Sequence, residues 1–86
     1  MKKILKVFVK EDCRECSNMR LKIEQVLKEP HVNLTVQYID ADRFPRTATE
    51  ADVRSVPTMI LYRDGDVIWR RIGPLPYHDL RENLES

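Results

Sequence analysis

The chain has 86 residues, 42% of them apolar and 34% charged, with 15 Lys and Arg against 14 Asp and Glu for a net charge of +1. That length suits one domain with one core, burying roughly 60 to 65% of the surface that the unfolded chain exposes, and the composition is that of a folded chain, not a disordered one. Near-balanced charge creates no field to draw the chain to nucleic acid or an anionic membrane, so its expected partners are proteins. No run approaches the roughly eighteen apolar residues that a membrane helix needs.

The first apolar run, Ile4-Leu5-Lys6-Val7-Phe8-Val9, follows Met1-Lys2-Lys3 but is too short, and too broken by Lys6, to serve as a signal peptide. It reads as a strand suited to burial on both faces of a parallel sheet. From about Arg14 to Lys28, Met19, Ile23, Val26 and Leu27 recur at i, i+4, i+7 and i+8, with Leu21 off the stripe and Pro30 ending the pattern; this predicts a helix. Val32, Leu34, Val36 and Tyr38 then alternate with polar residues, as a strand closed by Asp40-Ala41-Asp42 should. Pro45 and the capping-box pattern Thr47-Ala48-Thr49-Glu50 predict a short helix reaching about Val53, with Arg54-Ser55-Val56 as its exit.

A continuous apolar strand from Thr58 to Tyr62, a hairpin signal at Asp64-Gly65 and a returning antiparallel strand from Val67 to Ile72 come next. Tyr77, Leu80 and Leu84 space out a final helix, with Pro76 near its first turn. The order β-α-β-α-β-β-α, with right-handed crossovers, gives a single α/β domain over residues 1–86: a four-stranded mixed sheet with helices on both faces. Trp69 is expected to pack in the core, and Arg70, Arg71, His31 and His78 to sit on solvated surface.

The only two cysteines form Cys13-Arg14-Glu15-Cys16, between the first strand and the first helix. This placement sets one thiol at a positive helix terminus and the other one turn along, within disulfide reach. Dithiol redox chemistry suits it. A structural staple across so short a loop would constrain the unfolded chain little, and zinc needs four ligands, whereas only His31 and His78 remain, neither at ligand spacing. A free thiol is only about 3% ionised at pH 7, and half ionisation requires roughly 2 kcal/mol of stabilisation. Lys10 and Arg14 favour the thiolate while Asp12 and Glu15 oppose it, so the helix end is its main support. A thiolate stabilised so modestly suits a reductant better than a strong oxidant.

Further along stand Tyr38-Ile39-Asp40, Ala48, Val53-Arg54-Ser55-Val56-Pro57-Thr58, Tyr62-Arg63-Asp64-Gly65 and Gly73. With these residues the chain resembles the thioredoxin superfamily from about Leu5 to Leu84, and its start at the strand before the motif is similar to glutaredoxins and small glutaredoxin-like thioredoxins. The resemblance implies a thioredoxin-like fold in which Cys13 attacks, Cys16 resolves and Pro57 is a cis-proline facing the disulfide. Val56, Gly73 and Pro74, with Asp12, Arg14 and Glu15 around the motif, would border the substrate groove, where an extended segment can pair with the Val56 backbone.

The chain departs from the thioredoxin pattern where Asp12 replaces a Trp, Arg14-Glu15 replaces Gly-Pro and Val7 replaces a buried acid. The resemblance therefore names no proton-handling group for Cys16. Lys10 occupies a position where glutaredoxins often have a glutathione-binding lysine, but Gly73-Pro74-Leu75 replaces the Gly-Gly and following Cys or Asp that help hold glutathione. The resulting expectation is a cytoplasmic, monomeric dithiol–disulfide oxidoreductase without a bound cofactor. It would reduce protein disulfides and be reduced by a flavoprotein of the thioredoxin reductase type in preference to glutathione. The alternatives are a glutathione-coupled glutaredoxin and a non-catalytic adaptor, the latter having no need to keep Cys13, Cys16 and Pro57 together.

Overall fold

The computed structural model describes residues 2–85, in the order β1 (Lys3–Val9), α1 (Arg14–Leu27), β2 (Thr35–Asp40), α2 (Pro45–Glu50), β3 (Thr58–Arg63), β4 (Asp66–Ile72) and α3 (Tyr77–Glu85). The strands form one sheet in the order β2-β1-β3-β4. β1 runs parallel to β2 and antiparallel to β3, and β4 returns antiparallel beside β3.

Strand alternation divides the core between the two faces of this sheet. Leu5 and Val7 of β1 and Met59 and Leu61 of β3 pack with Met19, Ile23 and Val26 of α1 and Leu80 and Leu84 of α3. Trp69 packs against the same cluster from β4. On the opposite face Phe8 and Ile60 meet Ala48 of α2, with Val53, Val56 and Tyr62 around them. β1 and β3 are thus the central strands, and both lie under helices.

Two predicted elements have different boundaries in the structure. β2 begins at Thr35, not Val32, and continues to Asp40, because its pairing with β1 opens at Ile4↔Thr35 and closes at Val9↔Asp40. Val32 and Leu34 still pack on the core from the preceding loop, which is why they carry the apolar alternation of a strand. The second helix ends at Glu50, short of Val53. Asp52 turns left-handed at φ 57°, and the amides of Asp52 and Val53 fold back to the carbonyls of Thr49 and Ala48, the arrangement of a Schellman stop. Its start also differs from a capping box: Phe44 occupies the N-cap position without a side-chain cap, and Pro45 opens the first turn. The Thr49 hydroxyl instead donates to the Pro45 carbonyl.

The hairpin turn is as the sequence predicts, with Asp64 at φ 50° and Gly65 at φ 92°, the two left-handed residues that a tight turn matching strand twist requires. Arg70 and Arg71 are exposed but are not merely solvated. Arg71 donates to the Pro74 carbonyl at 2.9 Å, and Arg70 donates to the carbonyls of Ala51 and Asp52 just past the end of α2. A cation there satisfies carbonyls that the helix leaves unpaired. Arg70→Ala is expected to cost about 1 kcal/mol, read as a lowered urea midpoint with an unchanged denaturant slope.

Candidate active site

The strand register brings three loops to one end of the sheet. β1 ends where β3 begins, with Phe8 opposite Thr58, and β4 ends beside the same residue, with Ile72 opposite Thr58. The loop carrying Cys13, the Val56-Pro57 segment and Gly73-Pro74 therefore leave the sheet together. Gly73, at φ 86°, donates its amide to the Pro57 carbonyl at 2.8 Å, joining two of these segments directly. The Thr58 hydroxyl donates to the Ser55 carbonyl at 2.7 Å, which ties down the approach to Pro57. The Val56-Pro57 peptide bond is cis.

Cys13 is the N-cap residue of α1, in extended conformation, and its Sγ accepts the Cys16 amide at 3.1 Å. The chain reaches it through Asp12 at φ 53°, a left-handed position that Asp tolerates better than most residues. Cys13 and Cys16 are joined in a disulfide, their Cα atoms 5.2 Å apart. Exposure separates the two sulfurs: Cys13 is half-buried, whereas Cys16, one turn into the helix, is only 5% exposed. The helix start thus presents one sulfur towards solvent and holds the other behind it.

Of the other residues singled out from the sequence, Asp12, Arg14, Glu15 and Pro74 are exposed, Val56 and Gly73 are half-buried, and Pro57 is buried. Lys10 lies 3.6 Å from Asp42 and lines a cleft of about 180 Å³ with Pro45, Thr49, Arg54 and Val56. The two histidines pair with carboxylates, His31 with Glu85 and His78 with Glu82. Ile72, 60% exposed beside Gly73, adds an apolar side chain at this end that strand patterning marks only as a strand position. Tyr38 is a second addition. Read from the sequence as a core-facing strand residue, it lines a small cavity together with Cys16.

The thioredoxin family model matches residues 1–86. The chain belongs to the thioredoxin family. It is 36% identical over 61 residues to a thioredoxin of Mycobacterium bovis, a match covering 71% of this chain and 53% of that protein, so the chain spans about half the length of its mycobacterial relatives. A thioredoxin of Mycoplasmoides gallisepticum is 30% identical over 84 residues, covering 98% of this chain and 83% of the relative. Among solved structures, a mutant thioredoxin from Halobacterium salinarum superposes with a TM-score of 0.88 at 25% identity, covering 98% of this chain and 73% of that one. Oxidised mitochondrial thioredoxin 3 from Saccharomyces cerevisiae gives 0.83 at 25% identity, with coverages of 98% and 77%. This thioredoxin-family chain has, among its described residues, no helix long and apolar enough to cross a membrane.

Proposed function

We propose that the chain is a thiol–disulfide oxidoreductase that reduces protein disulfides through Cys13 and Cys16, acting as a single domain. The observation that carries this reading is the Cys13–Cys16 disulfide at the start of α1, with the Cys16 amide directed at the more exposed sulfur. In the dithiol form that amide and the helix end favour a Cys13 thiolate. The thiolate attacks a substrate disulfide, a Cys13–substrate disulfide forms, and one substrate thiolate leaves. Cys16 then attacks Cys13 Sγ, re-forming the internal disulfide and releasing the second substrate thiolate, so two electrons pass from the dithiol to the substrate. Val56, Pro57, Gly73 and Pro74 on one side, and Asp12, Arg14 and Glu15 on the other, form the docking groove for an extended segment.

The electron donor follows from the same residues. Glutathione is favoured by one feature, the position of Lys10 on a cleft shared with Val56. Asp42 already faces that lysine, and Gly73 is followed by Pro74, not by a second glycine. A flavoprotein reductase is therefore the donor. In an insulin-reduction assay, turnover is expected to be fast with NADPH and a matching thioredoxin reductase and slow with millimolar glutathione, and Lys10→Ala is expected to leave the slow rate within about twofold. Efficient reduction by glutathione that Lys10→Ala abolishes reverses the assignment in favour of a glutaredoxin. Failure of both donors with fully reduced protein unable to reduce insulin leaves the adaptor reading.

A further inference from the structure

Resolution of the mixed disulfide requires a proton to leave a thiol that is almost inaccessible to water. Cys16 is 5% exposed, and Val7, which faces Tyr38 across the parallel pair, is apolar and fully buried. Beside Cys16 lies a cavity of about 110 Å³ lined by Val9, Lys10, Cys16, Ser17, Arg20 and Tyr38, a lining without a carboxylate. Tyr38 Oη is buried and has no hydrogen-bond partner among the described residues. Its ring lies under Arg20, whose guanidinium carbon is 4.2 Å from the ring centroid.

A buried hydroxyl without a partner is destabilising, and such atoms in a folded protein call for a bound water or a functional role. The cavity is polar on several sides and exceeds the roughly 10 to 15 Å³ that one water requires. We infer that the Tyr38 hydroxyl is the proton-transfer group for Cys16, acting across this cavity during the resolving step. The inference rests on the oxidoreductase reading and adds the residue that makes its second half-reaction feasible.

The Cys16 thiol proton passes through one water in the cavity to Tyr38 Oη, and the phenol hands its own proton to a second cavity water and so to solvent in the same transfer. The Cys16 thiolate attacks Cys13 Sγ, the Cys13–substrate bond breaks, and the departing substrate thiolate keeps the electron pair and takes a proton from solvent. Tyr38 ends as it began. Burial raises its phenol pKa above the ordinary value; Arg20 lowers it and Glu24 raises it further, so the group is a neutral relay near pH 7 and not a phenolate base. The charged groups that bear on this path are Arg20 and Glu24 on α1, which pair with each other, and Lys10 after β1, which pairs with Asp42.

The test is Tyr38→Phe, which keeps the ring and removes only the hydroxyl. With a fluorogenic peptide disulfide in stopped flow, attack by Cys13 is expected to be unchanged, while resolution slows about 10²-fold at pH 7, the low end of general acid–base contributions. The mixed disulfide should accumulate in acid-quenched samples, and the deficit should shrink as pH rises and Cys16 ionises unaided. The melting temperature should stay level or increase, since the lost hydroxyl has no hydrogen-bond partner among the described residues. As a readout independent of turnover, the Cys16 Cβ chemical shift in Cys13→Ser should titrate roughly one unit higher when Tyr38→Phe is added, reflecting loss of a donor to the thiolate. Unchanged resolution and an unchanged Cys16 titration overturn the role of Tyr38 alone. Absence of peptide-disulfide turnover by the unmodified chain instead refutes the oxidoreductase reading.

Discussion

Replacing Cys13 with serine is expected to bring disulfide reduction down to the uncatalysed level, whereas replacing Cys16 with serine should leave attack intact and trap the substrate on Cys13. The asymmetry follows from position. Cys13 caps α1, is partly open to solvent and accepts the Cys16 amide, so its thiolate is the one that the helix end supports and an incoming disulfide can reach. Cys16 is shielded and can reach only the Cys13 sulfur, with which it forms the internal disulfide. Serine has no comparable thiolate, so Cys13→Ser loses the first step entirely, and Cys16→Ser loses only the second. Iodoacetamide labelling of the reduced protein, read by peptide mass spectrometry, should modify Cys13 well before Cys16. Equal labelling rates, or substrate trapped through Cys16, would reverse the two roles.

The largest expected loss of stability comes from Phe8→Ala. Phe8 is fully buried and, with Ile60 and Ala48, forms the smaller core between the sheet and α2. Truncating a buried phenylalanine typically costs about 3 to 5 kcal/mol, through lost transfer energy and the cavity left behind. A chain of this length has a total stability on the order of 5 to 15 kcal/mol, and each kcal/mol shifts the melting temperature by roughly 4 to 8 °C. A fall of at least about 12 °C is expected, measured by circular dichroism. α2 contains only six residues and packs on the sheet through this cluster, on which Val53 and Val56 beyond it also rest. The variant should therefore also lose disulfide-reducing activity below its melting temperature. A change under about 1 kcal/mol would mean that this face of the sheet is not a packed core.

Local chemistry made the order of elements readable from the sequence. Alternation or continuity of apolar residues marked β1, β3 and β4, the 3.6-residue stripe Met19, Ile23, Val26 marked α1, and Asp64-Gly65 marked the hairpin, each a signal carried within a few neighbouring residues. The Cys13-to-Cys16 motif was legible for the same reason: its meaning depends on a strand before it and a helix after it. The limits of β2 and α2 were not local. Val32 and Leu34 are apolar because they cover the core, yet only the length of β1 decides that pairing starts at Thr35. The stop of α2 depends on Asp52 turning left-handed and on carbonyls that Arg70, from a different element, reaches across to satisfy.

The same division holds at the site. Composition, spacing and the thioredoxin-like residues from Tyr38 to Gly73 were sufficient to single out Cys13, Cys16 and Pro57. They were silent on which neighbours surround Cys16, because residues far apart in sequence meet there. Tyr38 carries the signals of an alternating strand and of the thioredoxin-like run, but neither places it beside Cys16; only the parallel register that sets it opposite Val7, and the packing of α1 over that pair, put it on a cavity with Cys16 and leave its hydroxyl without a partner among the described residues. Strand and helix identities follow from short-range periodicity, whereas cavities, strand ends and helix stops depend on contacts that exist only once the sheet is assembled.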